Sequence, residues 1–303
     1  MARFIEFKAF LSDTVSEREG DQLKFFEIAP GRAPLRFKPL REKVWTESKA
    51  EIIRNYLSTF QLVTKHGVYL DGFAGMFDRP ENWAANLVLG LEPCWLGPFH
   101  LFDVNNEKTK DLKALAEQHA DKDVRVVEGD FNREVGPLLA SGAIGPRRAT
   151  FALLDQYTFE CHWSTVAALA SHPKDRYKIE QFYFLANGWF DRAIAGLGND
   201  RGSLWWGRSD WKELRDLSGP QRAQLMAERF VDELGYEHAV PWPIYDRKDG
   251  GRIAYYMIHA TDHPAAVRLM TAAYEKRIPP PEETMQMFDP DDYADDSSKT
   301  TDV

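Results

Sequence analysis

Four acidic residues stand where short apolar runs end. Asp71 follows Val68–Leu70, Asp103 follows Phe99–Phe102, Asp155 follows Phe151–Leu154, and Asp130 comes just after the run from Val124 to Val127. Carboxylates gathered at one edge repel one another unless something bridges them. They therefore read as acceptors for a ligand carrying positive charge, hydroxyls and an amine. Asp103 suits the two hydroxyls of a ribose. Asp130 suits an exocyclic amine, with Phe131 beside it to stack on a ring. The stretch Tyr69-Leu70-Asp71-Gly72-Phe73-Ala74-Gly75 places glycines directly after a strand, where a ligand can approach the backbone closely. Gly72 and Gly75 are three apart and Met76-Phe77 follow, so the dinucleotide fingerprint GxGxxG is absent and a pyrophosphate cradle is unsupported. The plainer alternative is that two or three of the acids cap helices, since Asp is a favoured N-cap.

The surrounding pattern says what must hold these residues. Ile52, Ile53, Tyr56, Leu57 and Phe60 recur at helical spacing between Trp45 and Val63, and Ser48 with Glu51 is spaced for a capping box. Strands are expected at 68–73, 99–104, 124–127, 151–154 and 182–186, with helices at 83–91, 107–118, 135–140 and 163–170. Strands alternating with helices imply a parallel sheet covered on both faces. The rhythm then changes to a helix at 221–234 and two strands, Val240–Tyr245 and Ile253–Ala260, around Asp249-Gly250-Gly251, which is hairpin chemistry. A last helix is expected at 264–276. Five alternating units and a closing hairpin suggest a mostly parallel seven-stranded sheet with one reversed strand. That is the α/β, Rossmann-like architecture of class I S-adenosylmethionine-dependent methyltransferases. The glycine loop is similar to the D-x-F-x-G loop of those enzymes, in which the acid and the loop backbone hold the amino-acid end of the cofactor. In amino-methyltransferases an acid followed by a Pro-Pro-aromatic run sets an acceptor against the target nitrogen; Asp155-Gln156-Tyr157-Thr158 keeps the acid and the aromatic here but not the prolines.

Composition bounds the class. The chain has 303 residues, 44% of them hydrophobic and 13% aromatic, enough to bury a sizeable core. Its net charge is −9, but the segment from Pro279 to Val303 holds eight acids against Lys299 alone. The remaining body is close to neutral, which gives no basic field for a general nucleic-acid binder. Cys94 and Cys161 are far apart, which excludes a disulfide framework and a four-cysteine zinc site. No signal-peptide pattern and no membrane-length apolar run is present, so a cytoplasmic protein is expected. The expected division is an N-terminal arm over 1–43, a methyltransferase-like domain over 44–278 and an acidic, disordered tail over 279–303.

The ordered series of motifs resembles the three-Cys-motif partner protein family (TcmP), a methyltransferase-like family. The resemblance runs through most of residues 44–276. It rests on Trp45-Thr46-Glu47-Ser48-Lys49, Tyr69–Gly75, Leu153-Leu154-Asp155 with His162-Trp163, and Asn187-Gly188-Trp189 with Arg192. It continues in Trp206-Gly207 to Trp211, and in Tyr255–Ile258 leading to Ala260-Thr261-Asp262-His263-Pro264. The resemblance implies S-adenosyl-L-methionine as cofactor and a three-Cys-motif radical S-adenosylmethionine protein as partner. Cofactor-binding residues are then expected at Asp71, Gly72, Phe73, Ala74, Gly75, Asp103, Asp130 and Phe131, and catalytic residues at Asp155 and Tyr157. Two other readings stand beside it: a nucleic-acid N-methyltransferase, and a catalytically degenerate fold serving as a binding scaffold.

Other chemistry-bearing residues carry less. His259 and His263 straddle a strand end and Pro264, so they share no helical face for a metal. Trp205, Trp206 and Trp211 read as core. Lys38, Arg41 and Lys43, like Arg147 and Arg148, read as solvated basic surface. Cys161 and His162 are adjacent, and neighbours at a helix start do not face each other. The acidic tail offers too few apolar groups to offset its ordering entropy. Truncation after Arg277 should therefore leave the melting temperature and cofactor affinity nearly unchanged; a large loss in a thermal melt would move the domain boundary.

Overall fold

The computed structural model describes residues 46–76, 80–245 and 252–275. The N-terminal arm, the Asp249-Gly250-Gly251 turn, the basic residues Lys38, Arg41 and Lys43, and the acidic tail lie outside the described residues.

Helix α1 (Thr46–Thr64) leads into β1 (Gly67–Asp71), followed by α2 (Ala84–Leu89), β2 (Leu96–Asp103) and α3 (Asn106–Gln118). Next come β3 (Val124–Glu128), α4 (Phe131–Ala140), β4 (Ala149–Leu154), α5 (Trp163–Ser171) and β5 (Glu180–Ala186). Two short helices, α6 (Phe190–Ala195) and α7 (Asn199–Trp206), and a 3-10 turn, Ser209–Asp216, precede α8 (Gly219–Asp232). The hairpin strands β6 (His238–Tyr245) and β7 (Ile253–Thr261) and helix α9 (Ala266–Glu275) complete the fold. The seven strands form one sheet in the order β3-β2-β1-β4-β5-β7-β6. The pairs among the first five strands are parallel, and β7 runs antiparallel to both neighbours. The expected seven-stranded sheet with one reversed strand is present.

Three local expectations change. Helix α1 begins at Thr46, so Ser48 lies inside its first turn rather than capping it. Helix α4 begins at Phe131, not near Val135, because Asp130 caps it: its side chain accepts the Asn132 amide at 3.0 Å. Between β5 and β6 the spacing predicts only the helix at 221–234, and the structure adds α6, α7 and the 3-10 turn ahead of it. Those short pieces are set by packing rather than periodicity. Gly202 lies so close to Trp211 that an added Cβ would fall 2.3 Å from its ring, and Arg229 is sandwiched between Trp163 and Trp206 at 3.9 and 4.0 Å. Trp205, Trp206 and Trp211 are core residues, as their type suggests.

One buried network ties α1 to the sheet. Glu180, at the start of β5, is 5% exposed. Its Oε1 accepts the Tyr56 hydroxyl of α1 and lies 2.9 Å from His259 Nε2 of β7, while Oε2 accepts the Thr261 hydroxyl at 3.1 Å. His259 is thus a structural side chain, its ring also edge-on to Tyr56 and Phe182. Burial pushes the Tyr56 hydroxyl well above its usual pKa, and Glu180 adds to the rise. A buried carboxylate is tolerated when its oxygens are filled in this way. Glu180→Ala strips the acceptor from three buried groups, each costing about 1–3 kcal/mol when left unpaired. The expected loss in urea unfolding is about 3 kcal/mol or more. A loss below ~1 kcal/mol would show that this network does not hold α1.

Candidate functional site

The parallel strands β1 to β4 all end at the same edge, and a cleft of about 830 Å³ opens there. Ligands in open α/β sheets bind outside the carboxyl ends of the strands, where the strand order reverses. Here β1 is flanked by β2 and β4, so the reversal falls at Asp71.

The glycine loop is fixed from both sides. Gly72 N–H donates to the Leu153 carbonyl of β4 at 3.0 Å, and Ala74 N–H donates to the Phe102 carbonyl of β2 at 2.7 Å. The Ala74 carbonyl accepts the Trp83 indole at 2.6 Å. A Cβ on Gly72 would fall 2.5 Å from the Phe131 ring, and one on Gly75 would fall 2.2 Å from Asp103 Oδ2. The two glycines are required by close approach. Phe131 is buried beneath the loop, its ring 5.1 Å from Phe102 and 6.2 Å from Phe73.

The acids differ in what surrounds them. Asp71 is 2% exposed; its Oδ1 accepts the Phe73 amide at 3.1 Å and its Oδ2 the Tyr69 hydroxyl at 3.0 Å. Burial pushes its carboxyl up to about 7, and the negative charge of Asp155 adds to the rise against the opposing pull of Phe73, Tyr69 and Lys49. Asp103 holds the loops rather than a helix: Oδ2 accepts Gly75 N–H at 3.0 Å and Oδ1 accepts Asn105 N–H at 2.7 Å. The N-cap of α3 is Asn105. Asp130 is the acid that does cap a helix. Its neighbour Asn132 ties that helix end to the loop after β4, accepting His162 N–H and the Thr165 hydroxyl, both at 2.8 Å.

Asp155 is no cap. Its Oδ2 pairs with the Lys49 ammonium of α1, whose side chain is 9% exposed. The same ammonium lies 5.7 Å from the Phe184 ring and 5.4 Å from that of Tyr255. The loop after Asp155 is set by Gln156, which is buried, donates to the Phe184 carbonyl at 3.0 Å and accepts Cys161 N–H at 2.8 Å. Tyr157 is 62% exposed and lines the cleft. Its ring begins an aromatic wall that continues through Trp189 (6.4 Å), Phe184 (6.0 Å further) and Tyr255 (4.8 Å further), each ring inclined by 33–37° to the next. Arg192 and Arg201, from the helices between β5 and β6, complete that side; Arg201 pairs with Glu160 at 3.0 Å.

Of the anticipated residues, Gly72, Phe73, Gly75, Asp103, Asp130, Phe131, Asp155 and Tyr157 line this cleft, while Asp71 and Ala74 are buried behind it. Lys49, Gln156, Phe184, Trp189 and Tyr255 were not anticipated as site residues. The signal for Lys49 is its place on the apolar stripe 49, 52, 53, 56, 60, where a charged residue requires a buried partner. Cys161 is buried and burial pushes its thiol far up, which makes it no nucleophile. Among the described residues no group of three metal-ligating side chains occurs, and no helix is long and apolar enough to cross a membrane.

The sheet order and the reversed β7 define the Rossmann-like class I methyltransferase fold. No protein-family model and no curated protein sequence matches the chain. Among solved structures it is similar to protein LPL1258 from Legionella pneumophila, a DUF519 protein, at TM-score 0.46 and 9% identity over 78% of this chain and 93% of that one. It is also similar to human methyltransferase-like protein 13 in complex with SAH, at TM-score 0.41 and 11% identity over 80% and 98%. M. jannaschii TYW2 in complex with AdoMet is similar at TM-score 0.38 and 13% identity over 76% and 89%.

A carboxyl near 7 in the folded chain and 3.8 when solvated binds a proton in the fold that the unfolded chain has released. Its contribution to stability is complete below about pH 4 and is lost as the pH rises to about 7. Asp71→Asn should abolish that part of the decline in unfolding free energy. Carboxyl chemical shifts should place the Asp71 midpoint near 7; a midpoint near 4 would mean that the carboxyl is solvated.

Proposed function

We propose that this chain binds S-adenosyl-L-methionine in the cleft and directs methyl transfer to an acceptor on its aromatic side. The observation that carries this reading is the chemistry of the cleft edge. Asp103, Asp130 and Asp155 line it, Asp71 is buried just behind the glycine loop, and Lys49 lines it as a cation. S-adenosylmethionine is complementary: an ammonium and a sulfonium, a ribose diol, an exocyclic amine and a carboxylate. Asp71 and the Gly72–Gly75 backbone would hold its amino-acid end, Asp103 its ribose, and Asp130 with Phe131 its adenine. The cofactor supplies a methyl group on a cationic sulfur. The protein supplies position: Asp155 and Tyr157 orient the acceptor and Asp155 takes up its proton, while the wall of rings excludes water.

The finer reading follows the resemblance in sequence. Of the motifs shared with the three-Cys-motif partner family, those on α1, the β1 loop, the end of β4 and the segment after β5 border this one cleft, as does Tyr255 of β7, while Trp206–Trp211 does not line it. That convergence supports membership of the family and an association with a three-Cys-motif radical S-adenosylmethionine protein. A cytoplasmic location fits the same reading.

Asp103→Ala tests the cofactor site. It removes an acceptor for the ribose and frees Gly75 and Asn105, so S-adenosylmethionine binding should weaken by about 1.5–3 kcal/mol in calorimetric titration. An unchanged affinity beside measurable wild-type binding would remove Asp103 from the site, and no binding to the wild type would leave the scaffold reading.

A further inference from the structure

We propose that Lys49 is itself a methyl acceptor, so that the chain methylates its own α1 helix. The inference rests on the cofactor reading above and deepens it.

In the cofactor reading above, β1 is flanked by β2 and β4 and Asp103 on the β2 side takes the ribose, which leaves the β4 side, with Asp155, for the transferable methyl. Among the described residues, the nitrogen nucleophile already bonded to Asp155 is Lys49 Nζ. It lines the cleft although its side chain is only 9% exposed. The Asp155 contact is its sole hydrogen bond among the described residues, which leaves two of its three donor positions open. The Phe184 and Tyr255 rings face it at 5.7 and 5.4 Å. A carboxylate and two aromatic faces around one amine form the environment that stabilises methylated ammonium groups. The purely structural role, a lysine paired to neutralise Asp155, does not require two aromatic faces or open donor positions at the cleft.

The step balances. Asp155 takes one proton from the ammonium and passes it to water. The freed lone pair of Nζ forms a bond to the methyl carbon as the carbon–sulfur bond of the sulfonium breaks, and its electrons stay on sulfur. The products are a secondary ammonium at Lys49, S-adenosylhomocysteine and one released proton. The methylated side chain keeps its charge and a donor for Asp155, so the ion pair and the seat of α1 survive the modification.

The test uses the full chain in two ways. Peptide mass mapping of the protein as purified from cells reads the modification without any assay. The purified protein is then incubated with S-adenosylmethionine bearing a deuterated methyl group, while calorimetry on the same sample follows cofactor binding. A gain of about 14 Da at Lys49 in the cell-derived chain, or its deuterated counterpart after incubation, is the expected result. Lys49→Arg, with its cofactor binding followed in the same titration, should take up no label, and Asp155→Asn should slow labelling at least tenfold. Cofactor binding with Lys49 unmodified in the cell-derived chain and unlabelled after incubation, or with label only on another residue, overturns self-methylation and leaves the cofactor reading intact. Absence of cofactor binding overturns both.

Discussion

The ion pair between Lys49 and Asp155 is the constraint on which the site depends. Asp71 ends β1 and Asp155 follows the adjacent parallel strand β4, and the charge of Asp155 raises the cost of ionising Asp71. A cation placed between the sheet edge and the aromatic wall offsets that charge. Lys49 reaches that position only because α1 is pinned elsewhere. Tyr56, about two turns further along, delivers its hydroxyl to Glu180, which also gathers His259 and Thr261 from β7. The network at one end of the sheet thus sets the electrostatics at the other. Removing the lysine would leave a partly buried carboxylate unpaired at the sheet edge.

Much of this was legible in the chain. The strand-ending acids, the glycine loop and the change of rhythm before the hairpin led to a seven-stranded sheet, because period-two and period-3.6 patterns report directly on which face is buried. The boundaries that slipped did so for local reasons. Asp130 was read as a ligand residue, and its capping of α4 moved the start of that helix four residues upstream. Ser48 was read as a cap, but the helix continues past it. The segment from Phe190 to Asp216 has no clean period, since its helices are held by tryptophan contacts and by Arg222 and Arg229 stacked on aromatic rings. Such tertiary contacts leave no trace in spacing. Lys49 did leave one, a charge on an apolar stripe, although its partner lies more than a hundred residues away.

The loop after β4 shows how a different residue can do the positioning. Gln156 reaches both the Phe184 carbonyl and Cys161 N–H, so Asp155 and Tyr157 are held on either side of a side chain with two filled hydrogen bonds. A buried amide with both ends occupied restricts the loop, and it adds a link to β5. That link matters because Phe184 belongs to the aromatic wall. The acid and the rings are therefore parts of one rigid unit.

The cleft divides along its length by chemistry. The β1–β3 side presents acids and backbone amides locked by mutual hydrogen bonds, and their reorganisation on binding is small. The β5–β7 side presents four rings in sequence and the arginines of the intervening helices, a surface that recognises flat or cationic groups without a fixed hydrogen-bond pattern. Asp155 and Lys49 stand at the seam. In the proposed reading, a group arriving along the rings meets the pair before it meets the acids, so its charge and its fit beside Lys49 decide whether it reaches Asp155. Selectivity for the acceptor in that reading is a competition with the protein's own ammonium, set by the position of α1.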